Sequence, residues 1–396
     1  MSASSRRSSI KRPSLVLLIL AALAASGVVL GAYRLVRGLG PTTNLSDGYP
    51  WGLWIAFDFF AVPFSAGAFT LAFVVHISKV RKYDAVAHLG LLAGFLGYLM
   101  VVLVLILDIG RWDQFYSVLL PWRWNLHSFM FEVSMSITLY FVVLLLELLP
   151  LLARAIGKGH WLPVRVVHSG MAVVAGLGVL LSTVHQASIG AIFLSLPHKL
   201  HPIWWTPLLP ILFLTSAVFS GLTVAMLLSL VTWRGLGQRP PMELLSRLAQ
   251  VIAAIMFVYL LLKVGDLVVA GEIGLLFDGS GYSAIWWTEV VLGVVIPMII
   301  FLSRARHTHR GLILGAIYVI VGLALNRSAN AWLGLRAPAG YSYSPSWIEI
   351  GIIVAAVAAA ALLYSLGVKY VSTFYPPASK GNEALTALLS GRDFYG

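Results

Sequence analysis

Ten apolar stretches along this chain leave it almost no choice of architecture. They fall near residues 15–36, 52–78, 86–109, 126–150, 164–186, 206–232, 248–270, 284–303, 311–326 and 347–369. A hydrocarbon core is crossed by roughly 20 apolar residues in a helix. Lipid offers backbone groups no partner, so each stretch must satisfy its own hydrogen bonds by coiling. Only 11% of the 396 residues are charged, against about a quarter in soluble domains. The expected fold is an all-α integral membrane protein of about ten transmembrane helices.

Charge sets the expected orientation. With a cytoplasmic N-terminus, the inner segments hold 19 lysines and arginines, among them Lys79, Arg81, Lys82, Arg154, Lys158, Arg165, Arg304, Arg306 and Arg310. The outer segments hold seven, and Lys263 lies within a helix. Such a bias across short loops places both termini on the cytoplasmic side. It also accounts for the net charge of +12 without nucleic acid. The basic N-terminus and apolar run Leu15–Ala32 resemble a signal peptide, with a cleavage-like site near Ala25. The run is longer than a usual signal core, so a retained first helix is expected. The chain has no cysteine, which excludes cysteine-ligated iron–sulfur clusters, c-type haem attachment and internal disulfides.

The stretch Pro121–Pro150, PWRWNLHSFMFEVSMSITLYFVVLLLELLP, combines an aromatic opening with an apolar helix carrying two glutamates. Glu132, Ser136, Tyr140 and Glu147 lie within an arc of roughly 80° on one helix face, over about 22 Å of its length. Carboxylates in hydrocarbon are costly and are retained for function, so the stripe is a candidate proton path; Glu147 alone reads as interfacial. Asp108 and Glu132 stand 24 residues apart, Asp266 and Glu289 23 apart, in helices of matching direction. That weak repeat suggests two parallel four-helix units, residues 45–200 and 201–335. A basic segment and extra first helix (1–44) and an extra last helix and tail (336–396) flank them.

Most intramembrane ionisable groups gather toward the outer side: Asp58, Asp108, His127, Glu132, His185, Lys263, Asp266 and Glu289. Plainer roles exist for several. Lys263 and Asp266, three apart on one helix, read as a structural ion pair. Asp108 and His127 read equally as helix-end anchors, and His76 and His88 as interfacial groups beside the basic loop at Lys79–Lys82. The outer segments GRWDQFYSVLLPWRW, LSLPHKLHPIWWTP and GLRAPAGYSYSPSW suit an interfacial aromatic belt or a docking face for another subunit.

A quinone exchanges two electrons and two protons. Its site needs an aromatic-lined opening to the bilayer, donors for two carbonyl oxygens, and a tuned histidine or carboxylate. Trp51, Trp54, Asp58, Trp124, His127, Glu132, His185 and Gln186 supply that chemistry, provided they converge in space.

Specific motifs extend this reading. PWGLWIAFDFFAVPFSAGAF (Pro50–Phe69) resembles the opening helix of the NrfD/polysulfide-reductase membrane-subunit family. WNLHSFMFE (Trp124–Glu132) and STVHQASIGAIFLSLP (Ser182–Pro197) are similar to its HybB-type branch, the membrane subunit of quinone-reactive nickel–iron hydrogenases. NRSANAW (Asn326–Trp332) resembles a late outer motif of the family. The resemblance spans about residues 45–370. It implies a core of two four-helix bundles and a quinone substrate (menaquinone or ubiquinone), with no haem or iron–sulfur cluster in this chain. It also implies a ferredoxin-like iron–sulfur subunit and a periplasmic catalytic subunit, such as a hydrogenase, on the outer side of a bacterial inner membrane. It carries quinone contact to Asp58, His127 and His185 and proton exchange to Glu132, with His127 and Asp58 beside it. The residues' own chemistry adds Trp54 and Trp124 as quinone contacts, and the helix-face stripe adds Glu132, Ser136, Tyr140 and Glu147 as the candidate proton path. Two other classes stay open from the residues alone. One is a b-type cytochrome, with His127 and His185 as an outer axial pair and His168 with His76 or His88 as an inner one; the other is a secondary transporter built on the repeat.

Overall fold

The computed structural model describes residues 14–336 and 341–370. The basic N-terminal residues before 14 and the tail beyond 370 therefore lie outside the described residues. Among the described residues ten helical segments are long and apolar enough to cross a bilayer, so the chain is a multi-pass, all-α membrane protein. The spans are α1 (Leu15–Arg37), α2 (Leu53–His76), α3 (Asp84–Asp108), α4 (Phe129–Ala155), α6 (Met171–Ile192), α7 (Leu209–Gly235) and α8 (Met242–Val269). The eighth combines α9 (Gly281–Val290) and α10 (Ile296–Leu302); the last two are α11 (His309–Ser328) and α12 (Trp347–Tyr370). A short helix, α5 (Leu162–Ser169), precedes α6.

Caps written in the sequence fix several helix starts. Ser128 accepts from the Phe131 amide, Ser280 from that of Ser283 and Thr308 from that of Gly311, each satisfying a first-turn N–H. At α12 the Ser346 hydroxyl accepts from the Glu349 amide while Glu349 accepts from that of Ser346, a reciprocal capping box. The fifth span departs from expectation. Gly170 interrupts the apolar run, so residues 162–169 form their own helix and the span starts at Met171. The helix then runs on to Ile192, so His185 and Gln186 sit about two turns inside that end rather than at it.

Helix α2 is the hub. It packs along α3, α6 and α7, and α7 in turn contacts α3, α6, α8 and α11. The α2–α7 crossing is backbone on backbone. A Cβ at Gly67 would lie 2.0 Å from the Gly221 carbonyl carbon, and one at Gly221 would lie 2.4 Å from the Gly67 amide nitrogen. One large buried cluster runs through α2, α3, α4, α6 and the outer loops, and a second lies among α2, α3, α7, α8, α10 and α11.

Helices α1 and α12 pack together and lean on α3, with α1 almost entirely exposed at its outward face. Their outer ends are pinned by polar contacts. Arg34, wholly buried, donates to the Ile109 carbonyl at 2.9 Å. Glu349 accepts from the Tyr343 hydroxyl at 2.5 Å and the Asn44 amide at 3.1 Å. Trp54 Nε1 donates to the Glu349 carbonyl at 3.2 Å, tying α2 to this corner.

Candidate functional site

The start of α4 meets the outer end of α6. There the Ser188 hydroxyl donates to Glu132 Oε1 at 2.5 Å. Glu132 lies about 4.5 Å into its helix and is exposed on the side of the bundle, so a carboxylate stands open to the bilayer boundary. Trp124 and Phe131 pack beside it with ring centroids 5.5 Å apart, and Trp124 Nε1 donates to the Val118 carbonyl at 2.8 Å. The loop ahead of α4 is rich in exposed aromatics, including Trp112, Phe115 and Trp122.

Beneath Glu132 the interior of α2, α3, α4 and α6 is polar. Asp58, Tyr140, Glu147, His185 and Gln186 are each at most 4% exposed, as is Tyr98. Tyr98 and Tyr140 meet edge to face at 4.9 Å, and both rings flank His185, at 6.1 and 6.3 Å. Measured from the outer helix ends, Asp58 lies about 7.5 Å deep, His185 about 10 Å, Tyr98 about 15 Å, Tyr140 about 16 Å and Glu147 about 27 Å. Both Asp58 oxygens, both His185 nitrogens, the Gln186 amide atoms, the Tyr98 hydroxyl and Glu147 Oε2 are buried without a protein partner among the described residues, while the Tyr140 hydroxyl faces Ser65 and Ser182. Each such atom costs on the order of 1–3 kcal/mol, and native interiors hold few of them. Concentrated in one bundle, they mark a polar column.

The structure thus brings together Glu132, Asp58, His185, Gln186, Ser136, Tyr140 and Glu147 along one bundle interior and its edge. Glu147, 4% exposed, faces into the bundle two turns below Tyr140. Trp54 points away from this column, to α12. His127 is exposed in the loop, its amide donating to Asn125 Oδ1, and it does not reach the buried group. Two participants were not singled out from the sequence. Tyr98 interrupts a long apolar run in α3, which was the available signal, and Ser188 lies inside the α6 motif. Where α6 ends, a cavity of about 130 Å³ is walled by Tyr49, Trp51, Phe193, Lys199 and Arg336, so Trp51 belongs to the outer surface above the column.

The second group of helices carries a different polar centre. Lys263 pairs with Glu289, not with Asp266 on its own helix. An (i, i+3) pair on a helix surface is weak, whereas the buried ammonium meets a carboxylate from the facing helix. Glu289 also accepts from Asn326 Nδ2 at 2.9 Å and Trp204 Nε1 at 3.0 Å. Arg327 donates to Asn326 Oδ1 and to the Ser216 hydroxyl, each at 2.9 Å, and lies 3.9 Å over the Phe213 ring. Just beyond Glu289 and just beyond Arg327 the helices widen into π turns, Val291–Val295 and Ala329–Leu333, a local geometry frequent at functional positions. Here the charges are paired, while in the first group they are not.

In the connection between α6 and α7, His201 stacks on Tyr282 at 4.2 Å and accepts at Nδ1 from the Ile203 amide. Partial burial, then the Arg336 charge, hold it below the usual histidine pKa, with Asp278 opposing.

Comparison with known proteins follows this geometry. The family profile described as "Polysulphide reductase, NrfD" matches residues 41–329. The "Probable Ni/Fe-hydrogenase 2 b-type cytochrome subunit" of Escherichia coli is 31% identical over 330 residues, covering 82% of this chain and 83% of that protein. The "Menaquinone reductase, integral membrane subunit" of Nitratidesulfovibrio vulgaris is 32% identical over 378 residues, covering 87% and 88%. The "Hdr-like menaquinol oxidoreductase integral membrane subunit" of Archaeoglobus fulgidus is 24% identical over 303 residues, covering 73% and 70%.

Proposed function

The chain belongs to the NrfD family of membrane subunits, and from that premise we propose that it is the quinone-reactive subunit of a respiratory oxidoreductase complex. Quinone approaches from the bilayer at the outer end of α4 and α6. Electrons pass between it and an iron–sulfur partner docked on the outer face, with a hydrogenase as the catalytic subunit. The reading includes a bacterial cytoplasmic membrane, both termini on the cytoplasmic side, and two four-helix units at residues 45–200 and 201–335. Support comes from the names of relatives, which include a hydrogenase subunit, a menaquinone reductase subunit and a menaquinol oxidoreductase subunit.

The observation that carries the assignment is Glu132, a membrane-level carboxylate bonded to Ser188 at the mouth of an interior whose polar atoms lack partners. Quinone supplies the two-electron chemistry. Glu132 exchanges a proton at the bilayer edge, Ser188 orients its carboxylate, and His185 with Asp58 offers a donor and an acceptor deeper in. Tyr98, Tyr140 and Glu147 continue the column, which supports proton movement through this bundle.

The test is the assembled complex carrying Glu132→Gln, assayed for reduction of a short-chain quinone. Loss of a general acid–base group predicts a fall of about 100-fold with subunit assembly intact on a native gel. An unchanged rate would sink the assignment. A b-type cytochrome is the second reading, favoured by the name of the Escherichia coli relative. Haem would take His185 as a ligand, but that ring is flanked by Tyr98 and Tyr140, and His127, its sequence-expected partner, lies exposed in a loop. These residues do not fit the group, and a Soret band in the purified full chain would reverse that judgement.

A further inference from the structure

The polar column has a second arm, and Asp58 is where it branches. Tyr98 lies within electrostatic reach of Asp58 on its deeper side. Asp108, the last residue of α3, lies within reach on the other side. Helices α2 and α3 pack along one another. Asp58 is five residues beyond Leu53 at the start of α2, which puts Asp108 about 7.5 Å closer to that end of the bundle. Asp58 is 4% exposed and Asp108 partly exposed, so a sealed carboxyl is followed by one that opens at the bundle end.

Asp108 does not behave as a helix-end anchor. It closes α3, where the helix dipole disfavours a carboxylate, and its side chain is hydrogen-bonded to none of the described residues. Within its electrostatic reach lies Arg34, in the last turn of α1. That guanidinium is wholly buried. One of its nitrogens donates to the Ile109 carbonyl at 2.9 Å, while Nε and Nη1 have no protein partner among the described residues. Glu349 of α12 makes the contrast. It is equally buried, but its oxygens accept from Tyr343, Asn44 and Ser346, so that carboxylate is fixed as a brace. Asp58 and Arg34 instead leave two carboxylate oxygens and two guanidinium nitrogens unbonded on either side of Asp108. Buried polar groups of this kind are met by ordered water, and carboxylates joined in this way form proton relays within membranes.

We propose that Asp58 and Asp108 form the route by which the column exchanges protons with the water phase where α2 begins and α3 ends. The proposal rests on the quinone-reactive reading above, in which this is the outer end. Each passage breaks the O–H bond of one carboxyl and forms an O–H bond on a neighbouring water, which gives up a proton to the other carboxylate. No electron moves, and the proton enters or leaves at Asp108. Asp108 is thus a proton-exchange residue set apart from Glu132, which faces the bilayer on the α4–α6 side of the bundle.

The experiment uses the assembled complex carrying Asp108→Asn, assayed for reduction of a short-chain quinone with and without added formate. Wild type and Glu132→Gln are run alongside. A positioned proton-transfer group contributes about 100-fold, so turnover is expected to fall by about that factor. Formate, a small mobile carboxylate, is expected to restore much of the lost rate and to leave the wild type unchanged; a packing defect would not respond to it. Asp113→Asn, on the exposed loop after α3, is the control and keeps full turnover. Asp108→Glu retains the carboxyl and most of the rate. Asp108 is partly exposed, so Asp108→Ala, with the same loss and the same response to formate, keeps the test valid if the asparagine variant does not assemble. Normal turnover in Asp108→Asn beside an impaired Glu132→Gln overturns the route and leaves the quinone reading standing. Normal turnover in Glu132→Gln sinks that reading and the route with it. A loss that formate does not touch makes Asp108 structural and also overturns the proposal.

Discussion

Ser188 donates its hydroxyl to Glu132 across the α4–α6 seam at 2.5 Å, and this single contact joins the exposed mouth of the site to its buried interior. Ser188 lies one turn from His185 on the same helix. A proton held by Glu132 is therefore one hydroxyl away from the histidine level of the column. Ser188→Ala removes that donor while keeping the helix. Losing a hydrogen bond to a charged group is worth about 1.5–3 kcal/mol, so quinone reduction by the assembled complex is expected to fall about ten- to a hundred-fold. Full activity in the alanine variant would show that the contact is incidental.

Glu147 is separated from Tyr140 by two helical turns, about 10 Å. If protons traverse the column, Glu147→Gln lowers the number of protons moved per electron in sealed vesicles while quinone reduction in uncoupled vesicles stays within about twofold. An unchanged ratio would confine the functional column to its upper part.

Lys263 and Glu289 form the buried pair of the other helix group. Removing one partner from a buried pair costs about 3–5 kcal/mol, whereas replacing both with apolar residues of similar volume is often near neutral. Lys263→Ala is expected to lower thermal stability in detergent sharply, and Lys263→Met with Glu289→Leu to restore much of it. Equal loss in single and double variants would mean that the Trp204 and Asn326 contacts, rather than the ion pair, hold this region.

His201, between α6 and α7, provides a pH signature. Its folded pKa lies below the unfolded value near 6.5, so the unfolded chain binds the proton more readily. Stability contributed by the neutral ring is present above about pH 6.5 and is lost as pH falls below it. The melting temperature of the wild type should drop more steeply between pH 7 and 5 than that of His201→Phe, which keeps a ring to stack on Tyr282. Parallel slopes would exclude His201 as the source.

The ten spans were legible because hydropathy over 20 residues is a property of the chain itself, and lipid leaves it no other outlet. The same local logic found Glu132, Ser136, Tyr140 and Glu147 on one face of α4. What the residues alone did not disclose depends on neighbours distant in sequence. Lys263 chooses Glu289, 26 residues away, over Asp266, three away, because α8 turns its ammonium toward the facing helix. Counting from Pro150 and Arg154 does not disclose that Glu147 turns into the bundle, because the surfaces that bury it come from other helices. Trp54 and His127 share motifs with Asp58 and Glu132, but motif membership does not set direction: one side chain turns to α12 and the other stays in the loop. Tyr98 had no partner visible along α3, since its partners arrive from α4 and α6.

The Gly67–Gly221 crossing has a mechanical corollary. Replacing Gly67 with leucine should abolish accumulation of the folded protein, because the added atoms have only backbone to displace; normal yield and melting behaviour would show that the contact can yield. If it cannot, α2 and α7 share a common spine with no room to slide or tilt. A transporter that alternates its opening between two faces needs such a joint to move. The α2–α7 pair is better pictured as a stator, a frame that stays fixed while side chains turn against it.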